Sequence, residues 1–271
     1  MSPEIHHLMR LFFCLMISLW SCLASAAEPV ATTLDRLRAL DESTRGTLGV
    51  YVKNFSTGEE IAYGAERKWN LTALVKIPLA IAILQAVENK QLALDDKLQQ
   101  PPDAGSAKPG SRQSVGDLLQ RSVVDNDNTA TDMLMRKLGV DAFNQQTQRN
   151  VDGKDLGPFT PGRHDKNRNT GTLRAMGTLM ERLGRGELLN AKHTDLLLDY
   201  MEKVPSGEQH DHSAHAQKGT NSTCNLGISD ARDLSKAVVI VVCAEGFGQL
   251  AHAEKSFTAI ANILVADGRV P

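Results

Sequence analysis

Residues 69–79 read WNLTALVKIPL, and the reading of this stretch decides the rest. Lys76 sits inside a run apolar enough to be buried, directly before Ile77 and Pro78, with Ala73 three residues ahead of it. An ammonium alone in an apolar medium is so unfavourable that it would lose its proton first, so a lysine kept here needs polar company. The continuation ALVKIPLAIAILQAVENKQ, residues 73–91, is apolar nearly all round, the mark of a buried central helix. Pro78 fits that helix if it falls in the first turn, where a missing N–H leaves no bond unmade.

Outward from this helix the chain divides into sheet-forming ends and a helical middle. Residues 47–64, TLGVYVKNFSTGEEIAYG, alternate apolar and polar on either side of a turn and predict a hairpin. Ahead of them Leu34, Leu37 and Leu40 recur at helical intervals. After the central helix, residues 101–111 (PPDAGSAKPGS) read as a loop, and 114–124 and 128–138 read as helices, the second closed by Gly139. Periodicity is lost from 150 to 170, where an irregular loop is expected, and returns as helices in 171–189 and 191–204. Residues 214–229 and 236–246 then predict strands flanking the turn DARDLSK, and 253–268 an amphipathic helix. A turn centred near Asp233 or Leu234 puts Cys224 almost opposite Cys243, as a disulfide or as two buried free thiols.

The simplest architecture pairs the two ends into one antiparallel sheet flanked by helices, an α+β fold with an inserted all-α domain. The expected division is a sheet domain of 27–70 with 206–271 and a helical domain of 71–205, with a crevice between them as the natural site. With 271 residues and 41% hydrophobic content, the chain can bury a sizeable core. Residues 1–26 read as a signal peptide: Arg10 in the n-region, LFFCLMISLW as the apolar segment, and Ala24-Ser25-Ala26 as the cleavage pattern. Export to the bacterial periplasm follows. LWSC ending at Cys22 offers lipoprotein anchoring as the alternative, which the bulk of Trp20 disfavours. The formal charge of −2 and the 4% aromatic content point to no nucleic-acid partner, and no membrane association is expected once the signal is removed. A monomer is expected.

Four motifs, most of them altered, carry a resemblance that spans essentially the whole mature length. The chain resembles the penicillin-recognising serine hydrolases, specifically class A β-lactamases, whose signals are SxxK on a buried helix, SDN about fifty residues on, a loop glutamate in ExxLN, and KTG on a strand. The resemblance places Lys76 on the family's lysine and Ala73 on its nucleophilic serine; a methyl group attacks nothing. Thr72 does carry a hydroxyl, but one step along a helix turns the side chain by about 100°, so a helix cap is its expected role. In VVDNDNTATDMLMRKLG, residues 123–139, Asp127 and Asn128 match the SDN Asp and Asn, and Asn126 stands in the serine's place. An amide binds there without relaying a proton; the resemblance implies a cleft in which Asn126 and Asn128 are the acceptors for Lys76, while Asp127 is expected to be structural, capping the next helix.

Between 150 and 170 no glutamate occurs, and Asp152, Asp155 and Asp165 are the only carboxylates. In AHAQKGTNS, residues 214–222, Gly219 and Thr220 match the end of the KTG strand, with Gln217 or Lys218 on its lysine. The resemblance thus implies a pseudoenzyme that needs no cofactor. Its cleft would hold a small β-lactam or peptidoglycan-peptide ligand through Lys218, Gly219, Thr220, Asn126 and Asn128, with Lys76 a remnant general base. An unusual nucleophile in a working hydrolase, or a periplasmic interaction or metal module, are the competing readings.

For the metal module, EQHDHSAH concentrates His210, His212 and His215, though at no standard zinc spacing. His164 next to Asp165 reads as a solvated loop pair, because adjacent side chains rarely face one another, and His193 and His252 read as helix-surface residues.

Overall fold

A computed structural model describes residues 28–100, 110–162, 169–204 and 222–270. Four strands, β1 (Thr47–Asn54), β2 (Glu60–Tyr63), β7 (Ser222–Ser229) and β8 (Val238–Glu245), form one sheet in the order β2-β1-β8-β7. Every pairing is antiparallel, so the predicted hairpins at the two ends of the chain do meet, along β1 and β8. The turn centre places Cys224 directly opposite Cys243, and the two are joined as a disulfide.

Alternation along the strands sends side chains to two separate apolar layers. Leu48, Val50, Val52, Val242 and Ala244 face α1 (Glu28–Ser43) and α8 (Leu250–Ala266), with Leu37 and Ile260 among the helix residues that meet them. Tyr51, Val239, Val241, Cys243 and Leu226 face the helical body. That body packs so closely on the sheet that α6 (Leu173–Gly184) needs a glycine at its contact: a Cβ on Gly177 would lie 2.0 Å from the Tyr51 ring.

The central helix is α2 (Lys76–Glu88), preceded by a 3-10 turn over Thr72–Val75. Ten of its thirteen residues are buried, as the apolar run predicts, and Pro78 lies in the first turn. Around it stand α3 (Val115–Val123), α4 (Asn128–Leu138), α5 (Val140–Asn150), α6 and α7 (Ala191–Glu202). Helix α5 fills a stretch of the expected helical domain to which the sequence reading gave no element of its own, between the helix closed at Gly139 and the loop from 150. With φ +90 Gly139 does end α4, but it is also the residue from which α5 starts. Short strand pairs, β3 (Trp69–Asn70) with β6 (Thr170–Gly171) and β4 (Lys97–Gln99) with β5 (Arg112–Ser114), were likewise not expected.

The irregular loop after α5 is tied down at several points. Phe159 stacks on Phe143 at 5.5 Å, Asn144 exchanges hydrogen bonds with the Phe159 backbone (2.6 and 2.8 Å), and Gly157 N–H donates to the Thr170 carbonyl at 2.7 Å. The β3–β6 pair then lays the end of this loop beside Asn70, at the entry to the 3-10 turn. No helix among the described residues is long and apolar enough to cross a membrane.

Candidate functional site

The 3-10 turn delivers Ala73 and Lys76 to the same wall of one cavity of about 550 Å³. Neither the turn nor α2 starts with a capping side chain: the cap positions fall on Leu71 and Val75, both already in the right-handed helical region. Thr72 itself is the first residue of the turn and not a cap position. Continuous winding from the turn leads into α2, and it brings Ala73 and Lys76 onto one face. Lys76 is 4% exposed, and its Nζ donates to Oδ1 of Asn126, a residue fifty positions away.

Asn126 is held in place by its neighbours. After α3, the N–H groups of Asp125 and Asp127 both reach back to the Arg121 carbonyl (3.1 and 3.0 Å), and the Arg121 guanidinium pairs with the Asp127 carboxylate and with Gln113. The other oxygen of Asp127 accepts from Ala130 N–H at 3.0 Å, capping α4. Thr131 hydroxyl donates to the Asp127 carbonyl at 2.7 Å and meets Ser122 at 2.8 Å. Asn126 thus sits between two helix ends at φ +52, a left-handed conformation that asparagine tolerates better than most residues. Its amide is presented to Lys76 by a turn that is itself fixed.

The opposite wall comes from parts of the chain that the sequence reading did not connect to the site. Leu198, Met201 and Val204 supply it from α7 and its end, Leu226 and Ile228 from β7, and Asp230 to Asp233 from the β7–β8 turn. Arg232 fastens that turn to α7 by pairing with Glu202 and with Asp199 (2.5 Å); the Glu202 hydrogen bond leads the influences that raise its already high pKa. Asp233 is held below the usual carboxylate range by Ser235 first and Lys236 second. The lining is mainly apolar, with Lys76, Asn126, Glu202, Asp230, Arg232 and Asp233 among it, the usual character of a small-molecule site.

The remaining site candidates are dispersed. Asn128 opens α4, half-buried, and does not line the cavity. Lys218, Gly219 and Thr220 lie outside the described residues, as do His210, His212, His215, His164, Asp165 and the segment read as a signal peptide. Of the loop carboxylates, Asp152 pairs with Arg182 at 2.8 Å and Asp155 with Lys68 at 3.0 Å, both at the surface. His193 corrects its reading as a surface residue: it is 7% exposed, and its Nδ1 meets Glu88 Oε1 at 2.8 Å across α2 and α7. Among the described residues, no group of three His, Cys, Asp or Glu side chains is placed to hold a metal ion.

Known proteins resemble the chain over most of its length. Residues 32–213, more than half of the chain, match the model of the beta-lactamase enzyme family. β-Lactamase SME-1 of Serratia marcescens is 25% identical over 212 residues, covering 72% of this chain and 70% of that protein. β-Lactamase L2 of Stenotrophomonas maltophilia is 26% identical over 202 residues, covering 68% and 66%. The chain therefore spans about two thirds of the length of these curated relatives. A β-lactamase from Sphaerobacter thermophilus superposes with a TM-score of 0.72 at 21% identity, over 91% of this chain and 99% of that one. The fold is that of the β-lactamases and transpeptidases, and the chain belongs to the β-lactamase family.

Proposed function

We propose that this member of the β-lactamase family is a pseudoenzyme, exported to the periplasm, whose cleft binds β-lactam or peptidoglycan-peptide ligands reversibly. The observation that carries the reading is the pairing of Ala73 with Lys76 on one wall of the cavity. Acyl transfer through a covalent intermediate needs a nucleophile, a base that takes its proton, and donors that steady the oxyanion. Lys76 and Asn126 are joined to each other in the cavity lining, but Ala73, which lines it with them, offers only a methyl group. Asn126 hydrogen-bonds without relaying a proton, so a bound acyl compound meets donors and no attacking oxygen from position 73 or 126.

Release of an acyl group would also lack its base. Residues 150–170 contain no glutamate, and the described aspartates of that loop are engaged by Arg182 and Lys68. What remains is a preformed site of about 550 Å³ able to hold a ligand without consuming it.

Ligand-observed NMR with benzylpenicillin tests this. Reversible saturation by the wild type is expected, weakened about tenfold by Lys76→Ala, because loss of a charged hydrogen-bond donor in a desolvated site costs about that much. Turnover of a chromogenic cephalosporin that disappears in Lys76→Ala would instead establish a working hydrolase with a different nucleophile.

A further inference from the structure

Asn126 is kept in place by bonds that its neighbours make. Among the described residues its own main chain makes no hydrogen bond, and its side chain bonds only to Lys76. Where the amide stands is therefore set by the residues on either side, and their anchors converge on Arg121, in the last turn of α3. The Arg121 carbonyl accepts from both flanking N–H groups, Asp125 at 3.1 Å and Asp127 at 3.0 Å, while its guanidinium pairs with the Asp127 carboxylate. The guanidinium is held from its other side as well: it donates to Gln113, whose amide donates at 2.9 Å to Gln100, a buried residue. A planar fork fixed by two partners can hold Asn126, left-handed at φ +52, in one orientation.

We infer that Arg121 is a positioning residue: it fixes residues 125–127 so that the Asn126 amide stays on Lys76, and through that pair it sets how tightly the cavity takes an acyl ligand. The inference rests on the reading of the cavity as a ligand site and adds what keeps its polar pair in place. Arg121 does not line the cavity, so its effect passes through Asn126. Without the guanidinium, Asp127 keeps its capping bond to Ala130 but loses its lateral tie, and Lys76 spends part of its time away from Asn126. A ligand must then bear the cost of ordering the pair. Arg121 and Asp127 are 29% and 17% exposed, so the effect is moderate.

A double-mutant cycle tests this. Benzylpenicillin dissociation constants are measured for wild type, Arg121→Ala, Asn126→Ala and the double variant. The rate at which formaldehyde and a hydride donor methylate Lys76 is followed in parallel by mass spectrometry of digests. Arg121→Ala should weaken binding about threefold to tenfold and speed methylation of Lys76 by a similar factor. In the Asn126→Ala background the same change should do neither, because the residue it positions is gone. Arg121→Lys, which keeps a charge for Asp127, should recover most of the affinity, and Arg121→Gln gives the same reading if Arg121→Ala does not fold. Unchanged affinity in Arg121→Ala, or a loss as large with Asn126 absent, overturns the role of Arg121 and leaves the binding cleft standing. If benzylpenicillin does not bind the wild type, the cleft reading falls and methylation decides alone: an unchanged Lys76 rate overturns the positioning too, and a raised rate that depends on Asn126 upholds it.

Discussion

Lys53 and Lys76 each carry an ammonium into the body of the protein, one from β1 and one from the start of α2, and they keep different company. Lys53 lies between Glu60 (3.0 Å) and Glu181 (3.3 Å), and Glu60 also takes Arg174 and the Tyr51 hydroxyl (3.0 Å). Burial would lower the Lys53 pKa, but the hydrogen bonds to Glu60 and Glu181 outweigh it and raise the value. Burial would likewise raise Glu60, and Lys53, Arg174 and Tyr51 together hold it below the usual carboxylate range. Lys76 donates to an amide and lines an open cavity. The first arrangement closes on itself and fastens the sheet to α6. The second lines a cavity, and the proposed function assigns its polarity to ligand binding.

The sharpest way to break the first region is to disturb its packing. Gly177→Ala drives a methyl group into the Tyr51 ring, and we expect a loss of about 3 kcal/mol in urea unfolding, at the upper end for overpacked cores. An unchanged midpoint would mean that α6 is free to move off the sheet, and with it the whole Lys53 cluster.

Next in size is Glu60→Gln, which keeps the shape and removes the shared charge. A loss of about 1–2 kcal/mol is expected at neutral pH, modest because the groups are partly exposed. The sign of its pH dependence follows from the lowered pKa. The wild-type contribution is present above the ordinary glutamate value of about 4.3 and is lost as pH falls through the lower folded value, so wild type and variant should converge in acid. A stability gap that widened below pH ~4 would contradict the assignment.

Smallest is the stability effect of Lys76→Met, which exchanges the ammonium for an apolar end of similar length. If Lys76 serves binding, its removal should change unfolding free energy by under about 1 kcal/mol, or stabilise the fold, while weakening benzylpenicillin about tenfold. A large destabilisation with intact binding would make Lys76 another Lys53.

The Lys53 and Lys76 regions were legible in the sequence to different degrees. The strands around Lys53 show period-two alternation, and the helix carrying Lys76 announces itself by a long apolar run, so element type was readable at both. The charge partners differed: nothing in the sequence pointed from Lys53 to the distant Glu181, whereas Asn126 as an acceptor for Lys76 followed from the family resemblance, and the structure pairs the two. His193 illustrates the same limit: its partner Glu88 is 105 residues away, and nothing local separates it from a surface histidine. Helix α5 was missed for another reason. Its buried stripe is Phe143, Thr147 and Asn150, and two of the three are polar, so the hydrophobic period is nearly silent. The cavity's second wall depends on α7 meeting the β7–β8 turn through Arg232, a tertiary contact with no motif behind it.

Position 73 carries the central claim, and restoring a hydroxyl there tests it most directly. Wild type and Ala73→Ser are incubated with benzylpenicillin and read by intact mass. The wild type should show no added mass, whereas Ala73→Ser should take up one penicilloyl group that persists for lack of a loop base. A stoichiometric covalent adduct on the wild type would contradict the account.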